Sequence, residues 1–169
     1  VEAGRATDLE LDRLYGYLAF PFPPGESALV VRDAAGAEVV TIAEWNFRSS
    51  ERIGFAPGTC TVHGQRLPVP LPVTSEAGKV VRFAAGETLS AVTLVFPDKG
   101  PRPQLEVFDD AGKPAGGRQT WDLPLDAAIY LPEGTWELRF PKAYLPVKLV
   151  LAAGKPQKIV LESGEAAAA

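Results

Sequence analysis

The sequence predicts an all-β chain built as two tandem small antiparallel β-sandwiches of about seven strands each. Three observations carry that expectation. In Ile129-Tyr-Leu-Pro-Glu-Gly-Thr-Trp-Glu-Leu-Arg-Phe140 a Pro-Glu-Gly turn is followed by strict alternation, with Trp136, Leu138 and Phe140 on one parity and Thr135, Glu137 and Arg139 on the other. That is the period-2 signature of a half-buried strand. Seventy-six residues earlier the chain repeats itself as Ile53-Gly-Phe-Ala-Pro-Gly-Thr-Cys-Thr-Val-His63, and the same interval keeps much of the rest in register. The composition agrees, because 16 Gly and 16 Pro punctuate short runs rich in Val, Leu, Thr and aromatics.

The repeat divides the 169 residues into an N-terminal arm (1–10), a first unit (11–86), a second unit (87–163) and a frayed end (164–169). Units this small bury only a modest core, so contact between them helps both. Only Ala84-Ala-Gly-Glu-Thr88 separates them, without the Gly/Ser or Pro tract of a loose linker, which predicts units held at a fixed angle.

Taken in order, Tyr15 to Phe20 reads as a first strand, closed by Pro21-Phe-Pro-Pro24, which forbids continuation inside a sheet. Leu18, Phe20 and Pro21 align with Leu94, Phe96 and Pro97, so that parity faces inward. Tyr15 and Tyr17 then share the outward face, where the second copy has Ala91 and Thr93. Ala28 to Asp33 and Ala37 to Ile42 follow as a hairpin, matched by Leu105 to Asp109 and the strand after Gly112. In each D-x-x-G turn the Asp accepts bonds from turn amides, which makes Asp33 and Asp109 turn formers. Trp45 and Trp121 occupy the same place in both copies, where an indole burying about 200 Å² fills an inter-sheet core. The alternative is a stacking platform for a sugar ring. Register puts Cys60 in the place of Trp136, inward, and His63 in the place of Arg139, outward. The stretch Arg66-Leu-Pro-Val-Pro-Leu-Pro-Val73 is too rich in proline for a central strand and belongs at a sheet edge. Gly78-Lys79 and Gly154-Lys155 then turn the chain into a last strand in each copy.

Charge and composition exclude several functions. The formal net charge of -4 is shared evenly between the halves, and neither offers the basic field that nucleic acid requires. No apolar run approaches the roughly 20 residues of a membrane-spanning helix. One Cys and one His cannot build a structural zinc site, so no metal is expected. No phosphate-binding loop is present and no cofactor is expected. A Ser-His-Asp triad would need His63, which lies on an outward strand face, and Cys60 and His63 face opposite ways. Carboxylate pairs such as Asp109 with Asp110, or Glu133 with Glu137, lie in turns and on solvent faces, whereas acid catalysis asks for a carboxyl in a cleft. The expectation is therefore no catalysis. A chain that begins at Val1 and lacks Met is expected to follow a removed signal sequence or to be cut from a longer protein, which favours an extracytoplasmic setting.

The order of strand, D-x-x-G hairpin, strand, L-P-E-G-T-W, strand, then A-Y-L-P with a G-K turn and a final strand resembles the prealbumin-like sandwiches. These include the carboxypeptidase regulatory-like and Cna B-type domains. Pro132-Glu133-Gly134, Ala143-Tyr144 and Gly154-Lys155 resemble PEGA repeats in particular. The resemblance implies a non-catalytic appendage used for spacing, adhesion or assembly. The Lys-to-Asn cross-link frequent in Cna-type domains is not expected, because the only Asn is Asn46 and the first unit's only Lys is Lys79. Expected partners are another protein or a second copy joined through sheet edges, with Tyr15 and Tyr17 as the interface candidates. A carbohydrate-binding module using Trp45 or Trp121 is the alternative.

Overall fold

Short β-branched and aromatic runs broken by Gly and Pro have no way to form long helices, and the chain forms none that are described. The computed structural model describes residues 14–19, 28–43, 52–82, 87–97, 102–119 and 126–164, and every regular element among them is a strand. The first unit contains β1 (Gly16–Ala19), β2 (Ala28–Asp33), β3 (Glu38–Ala43), β4 (Ile53–Phe55), β5 (Gly58–Gly64), β6 (Leu67–Ser75) and β7 (Val80–Arg82). The second contains β8 (Leu89–Val95), β9 (Gln104–Phe108), β10 (Pro114–Gln119), β11 (Asp126–Pro132), β12 (Gly134–Phe140), β13 (Tyr144–Leu151) and β14 (Gln157–Val160).

Each unit is a sandwich of a three-stranded and a four-stranded sheet, with orders β4-β1-β7 and β3-β2-β5-β6 in the first and β11-β8-β14 and β10-β9-β12-β13 in the second. Subtracting seven from each strand number turns the second pair of orders into the first. The duplication is therefore structural as well as sequential. Pairing is antiparallel except at β1 with β7 and β8 with β14, which are parallel. This departs from the purely antiparallel expectation. The first and last strands of a unit are joined through all the others, a connection long enough for the crossover that parallel pairing requires.

One connection between the sheets is a tight corner that recurs in both units. Between β4 and β5, and between β11 and β12, the Pro-Gly and Pro-Glu-Gly segments carry it from the smaller sheet to the larger rather than closing a hairpin. Gly58 and Gly134 hold φ of 147° and 138° there, a region side chains rarely adopt. Trp136 fastens the second corner, its Nε1 donating to the Pro132 carbonyl at 3.0 Å. The Asp turns form as the sequence predicts. Asp33 Oδ1 accepts from the amides of Ala35 and Ala37 at 2.9 and 2.8 Å, and Asp109 Oδ1 from that of Lys113 at 2.8 Å. The proline-rich β6 is an edge strand of its sheet, the place where missing backbone donors are tolerated.

The first strand corrects the sequence alignment. Gly16 pairs with Phe55 and Tyr17 with Val80, whereas the second unit pairs Val92 with Ile129 and Thr93 with Lys158. Both neighbours of β1 thus set it two residues away from the 76-residue register. Gly16 stands where the second unit has Ser90, Tyr17 where it has Ala91, and Leu18 where it has Val92 rather than Leu94. A shift of two leaves every side chain on its original face. Packing explains the shift: the Ser90 hydroxyl donates to the Ala152 carbonyl at 2.7 Å. The equivalent carbonyl, that of Glu76, lies 2.6 Å from where a Cβ on Gly16 would sit.

Each unit has its own core. The first is centred on Leu18, Leu29, Val31, Val62 and Leu71, and the second on Val92, Leu94, Leu105, Ile129 and Leu138. In the second, Phe96, Phe140 and Tyr144 meet edge to face with centroids 5.8 to 6.4 Å apart. The cores also trade residues. Val69 of β6 belongs to the second unit's core, and Leu89 and Tyr130 of the second unit belong to the first's.

Candidate functional site

The strongest structural feature is the joint where those residues are exchanged. The turn from β5 to β6 brings Arg66 against the outer edge of β11. The Tyr130 amide donates to the Arg66 carbonyl at 2.8 Å, and Arg66 Nη1 donates to the Ala128 carbonyl at 3.0 Å. One residue of the first unit thereby satisfies both a donor and an acceptor of a sheet edge, groups that cost free energy if buried unpaired. Beside it Pro68 and Val69 press on Gly116 of β10. A Cβ on Gly116 would lie 2.0 Å from the Pro68 oxygen and 3.1 Å from Val69 Cα, so only glycine admits this approach. In the first unit Val40 holds the equivalent position and packs on its own core. Val69 therefore does for the second unit what Val40 does for the first. Sequence reasoning missed this joint, although Gly116-Gly117 standing opposite Val40-Thr41 in the repeat was a visible signal.

The sequence-predicted interface residues lie on the outer face of the smaller sheet of the first unit. Tyr15 is 40% exposed, Tyr17 is half-buried, and Tyr17 pairs with Gly54. A Cβ on Gly54 would lie 3.4 Å from Tyr17 Cε1 and 3.7 Å from Tyr15 Cβ, so the two tyrosines come together over a strand with no side chain at that point. Trp45 and Trp121, the candidates for a sugar platform, lie outside the described residues, as does Asn46.

Trp136 is half-buried and lines a depression of ≈ 290 Å³ with Asp109, Asp110, Thr135, Glu137 and Lys148. The Glu137 carboxylate is unsuited to acid catalysis. The Arg139 guanidinium, 2.7 Å from Glu137 Oε1, holds the Glu137 carboxyl below its ordinary value. Arg139 in turn lies over the Phe108 ring. The first copy keeps a polar pair at the same two positions, with Thr61 Oγ1 hydrogen-bonded to His63 Nε2 at 2.9 Å. Burial, with Arg32 nearby, lowers the His63 pKa, and burial raises that of the Cys60 thiol. Cys60 is 5% exposed in the first core, and alternation along β5 points His63 to the other face. A neutral thiol and an imidazole on opposite faces make no nucleophilic pair. Among the described residues no group of three or more His, Cys, Asp or Glu is placed to hold a metal ion. Among them too, no helix is long and apolar enough to cross a membrane.

No family model matches the chain. No curated protein matches it. Among solved structures it is similar to the Bacillus anthracis TIE protein, at 12% identity and a TM-score of 0.36, over 89% of this chain and 34% of that one. It is also similar to the group B streptococcus pilus 2b backbone protein, at 9% identity and a TM-score of 0.31, over 92% of this chain and 83% of that one. The chain thus spans about a third of the length of the TIE protein.

Proposed function

We propose that the chain is a non-catalytic structural element of an extracytoplasmic assembly, a spacer, adhesin segment or assembly subunit, in which two prealbumin-like sandwiches act as one body. The joint is the observation that supports this reading. Two units connected by a short linker could have been left free to swing. Instead each contributes a buried apolar residue to the other's core, and Arg66 bonds the β11 edge, so a force or a spacing imposed at one end is transmitted to the other. NMR relaxation of the backbone amides tests it. Amides of both units are expected to report one rotational correlation time belonging to an 18.0 kDa particle or larger. Two shorter, independent times would overturn the reading.

A second reading is a carbohydrate-binding module, for which the sequence offers Trp45 or Trp121 as the platform and the described surface offers a third tryptophan. Trp136 lines a depression that also holds polar side chains able to bond hydroxyl groups. Titration with soluble polysaccharides should then perturb tryptophan fluorescence, and an unchanged spectrum would sink it.

A further inference from the structure

The joint consists of two different surfaces, and the 76-residue repeat places a counterpart of each elsewhere on the molecule. On the second unit the docked surface carries Leu89, Ala91 and Tyr130, with Leu89 1% and Tyr130 3% exposed. Its counterpart on the first unit, in the corrected register, carries Tyr15, Tyr17 and Gly54. The cross-strand pair Ala91 with Tyr130 becomes Tyr17 with Gly54, so the aromatic has changed strands while a small residue still faces it. Here Tyr15 is 40% exposed where Leu89 is covered. The bulge residue Val39 is 49% exposed, where its counterpart Ala115 packs on the second unit's core. The other surface of the joint presents Val69, 8% exposed. Its counterpart at the 76-residue interval is Leu145, 49% exposed, beside a bulge one residue shorter, since Phe140 pairs with Tyr144 where Gly64 pairs with Leu67. Residues 162–164 run beside β13, with the Leu145 amide donating to the Glu162 carbonyl at 3.0 Å, and still leave that side chain outward. Two of the large apolar residues exposed on the described surface, Tyr15 and Leu145, thus occupy repeat positions whose counterparts, Leu89 and Val69, the joint covers.

We propose that these two surfaces bind each other between copies, the Tyr15 face of one chain docking on the Leu145 edge of a second, so that the protein associates head to tail. The proposal rests on the structural reading above and names its partner as a second copy of this chain. Because the surfaces differ, the contact is heterologous, and every added copy leaves one of each surface open. Val40 stands where Gly116 lets Pro68 approach, so the contact between copies is shallower than the joint.

Light scattering of the full chain over a wide concentration range tests this. The mean mass is expected to exceed 18.0 kDa and to keep rising with concentration. Tyr15→Glu and Leu145→Glu both alter exposed side chains, and each variant, with an unchanged thermal transition, is expected to stay monomeric. Mixed in equal amounts, the two variants retain one complementary surface each and are expected to form a dimer that grows no further. A wild-type monomer at every concentration would overturn the proposal. So would association that survives both substitutions, or a mixture that stays monomeric while the wild type associates. The relaxation experiment separates this outcome from the broader reading: a monomer tumbling as one body keeps the spacer and loses only the head-to-tail contact. Independently tumbling units would remove the spacer whatever the mass.

Discussion

At the scale of single residues, glycine decides where the two units meet. The Cβ that Gly116 lacks would stand 2.0 Å from the Pro68 oxygen and 2.9 Å from its carbon. Both are backbone atoms, which cannot swing aside as a side chain's end can. Gly116→Ala is therefore expected to push the turn from β5 to β6 outward and to destabilise the chain by about 1–3 kcal/mol, the usual cost of overpacking. Denaturant titration would give the magnitude. Hydrogen exchange at the Tyr130 amide would give the location, because that amide bonds the Arg66 carbonyl and should lose protection ahead of its neighbours. The sequence holds this information only as a contrast between Gly116 in one copy and Val40 in the other. Which of the two was the exception, and what filled the space, depended on the path of β6 and could not be read from either residue alone.

At the scale of the element, alternation and turn chemistry were legible and register was not. The Asp turns and the edge position of β6 follow from local chemistry that the sequence prints directly, and the inward parity of β1 follows from the repeat. The alignment of β1 relied on Leu18 and Phe20 resembling Leu94 and Phe96, and a two-residue slip preserves parity, so hydrophobic pattern is blind to it. What sets the register is the size of side chain allowed beside one carbonyl. Ser90 bonds the Ala152 oxygen, while Gly16 makes room beside Glu76 and Ser75. The exchange leaves a consequence in the first unit. Ser75 is 4% exposed and its Oγ has no hydrogen-bond partner among the described residues, whereas its counterpart in the repeat, Leu151, is apolar. A buried hydroxyl without a partner costs more than its removal. Ser75→Ala is therefore expected to leave stability unchanged or raise it by up to about 1 kcal/mol, read as a higher denaturation midpoint at constant slope. A clear loss of stability would show that the hydroxyl is bonded after all.

At the scale of the whole molecule, the exchange of core residues makes the stability of each unit depend on the other. Val69 is carried by the first unit but buried in the core of the second, so its substitution separates the unit that bears a residue from the unit that needs it. Val69→Asp would place a carboxylate without a partner among apolar side chains, a burial the chain avoids by opening the joint. Cys60 provides a specific probe of the first unit. It is the chain's only thiol and is 5% exposed in that unit's core, so its labelling rate reports opening of the first sandwich alone. Two of the chain's three tryptophans, Trp121 and Trp136, belong to the second repeat, so fluorescence weights the unfolding of that unit. In the wild type the two probes are expected to follow one cooperative transition, because neither sandwich keeps a complete core when the other unfolds. In Val69→Asp the fluorescence transition is expected to move to lower denaturant, with the Cys60 transition staying behind it at a higher midpoint. Coincident transitions in the variant would mean that units of this size remain coupled through Leu89 and Tyr130 alone. Separate transitions already present in the wild type would mean that the exchanged residues seal a surface without joining the stability of the two folds.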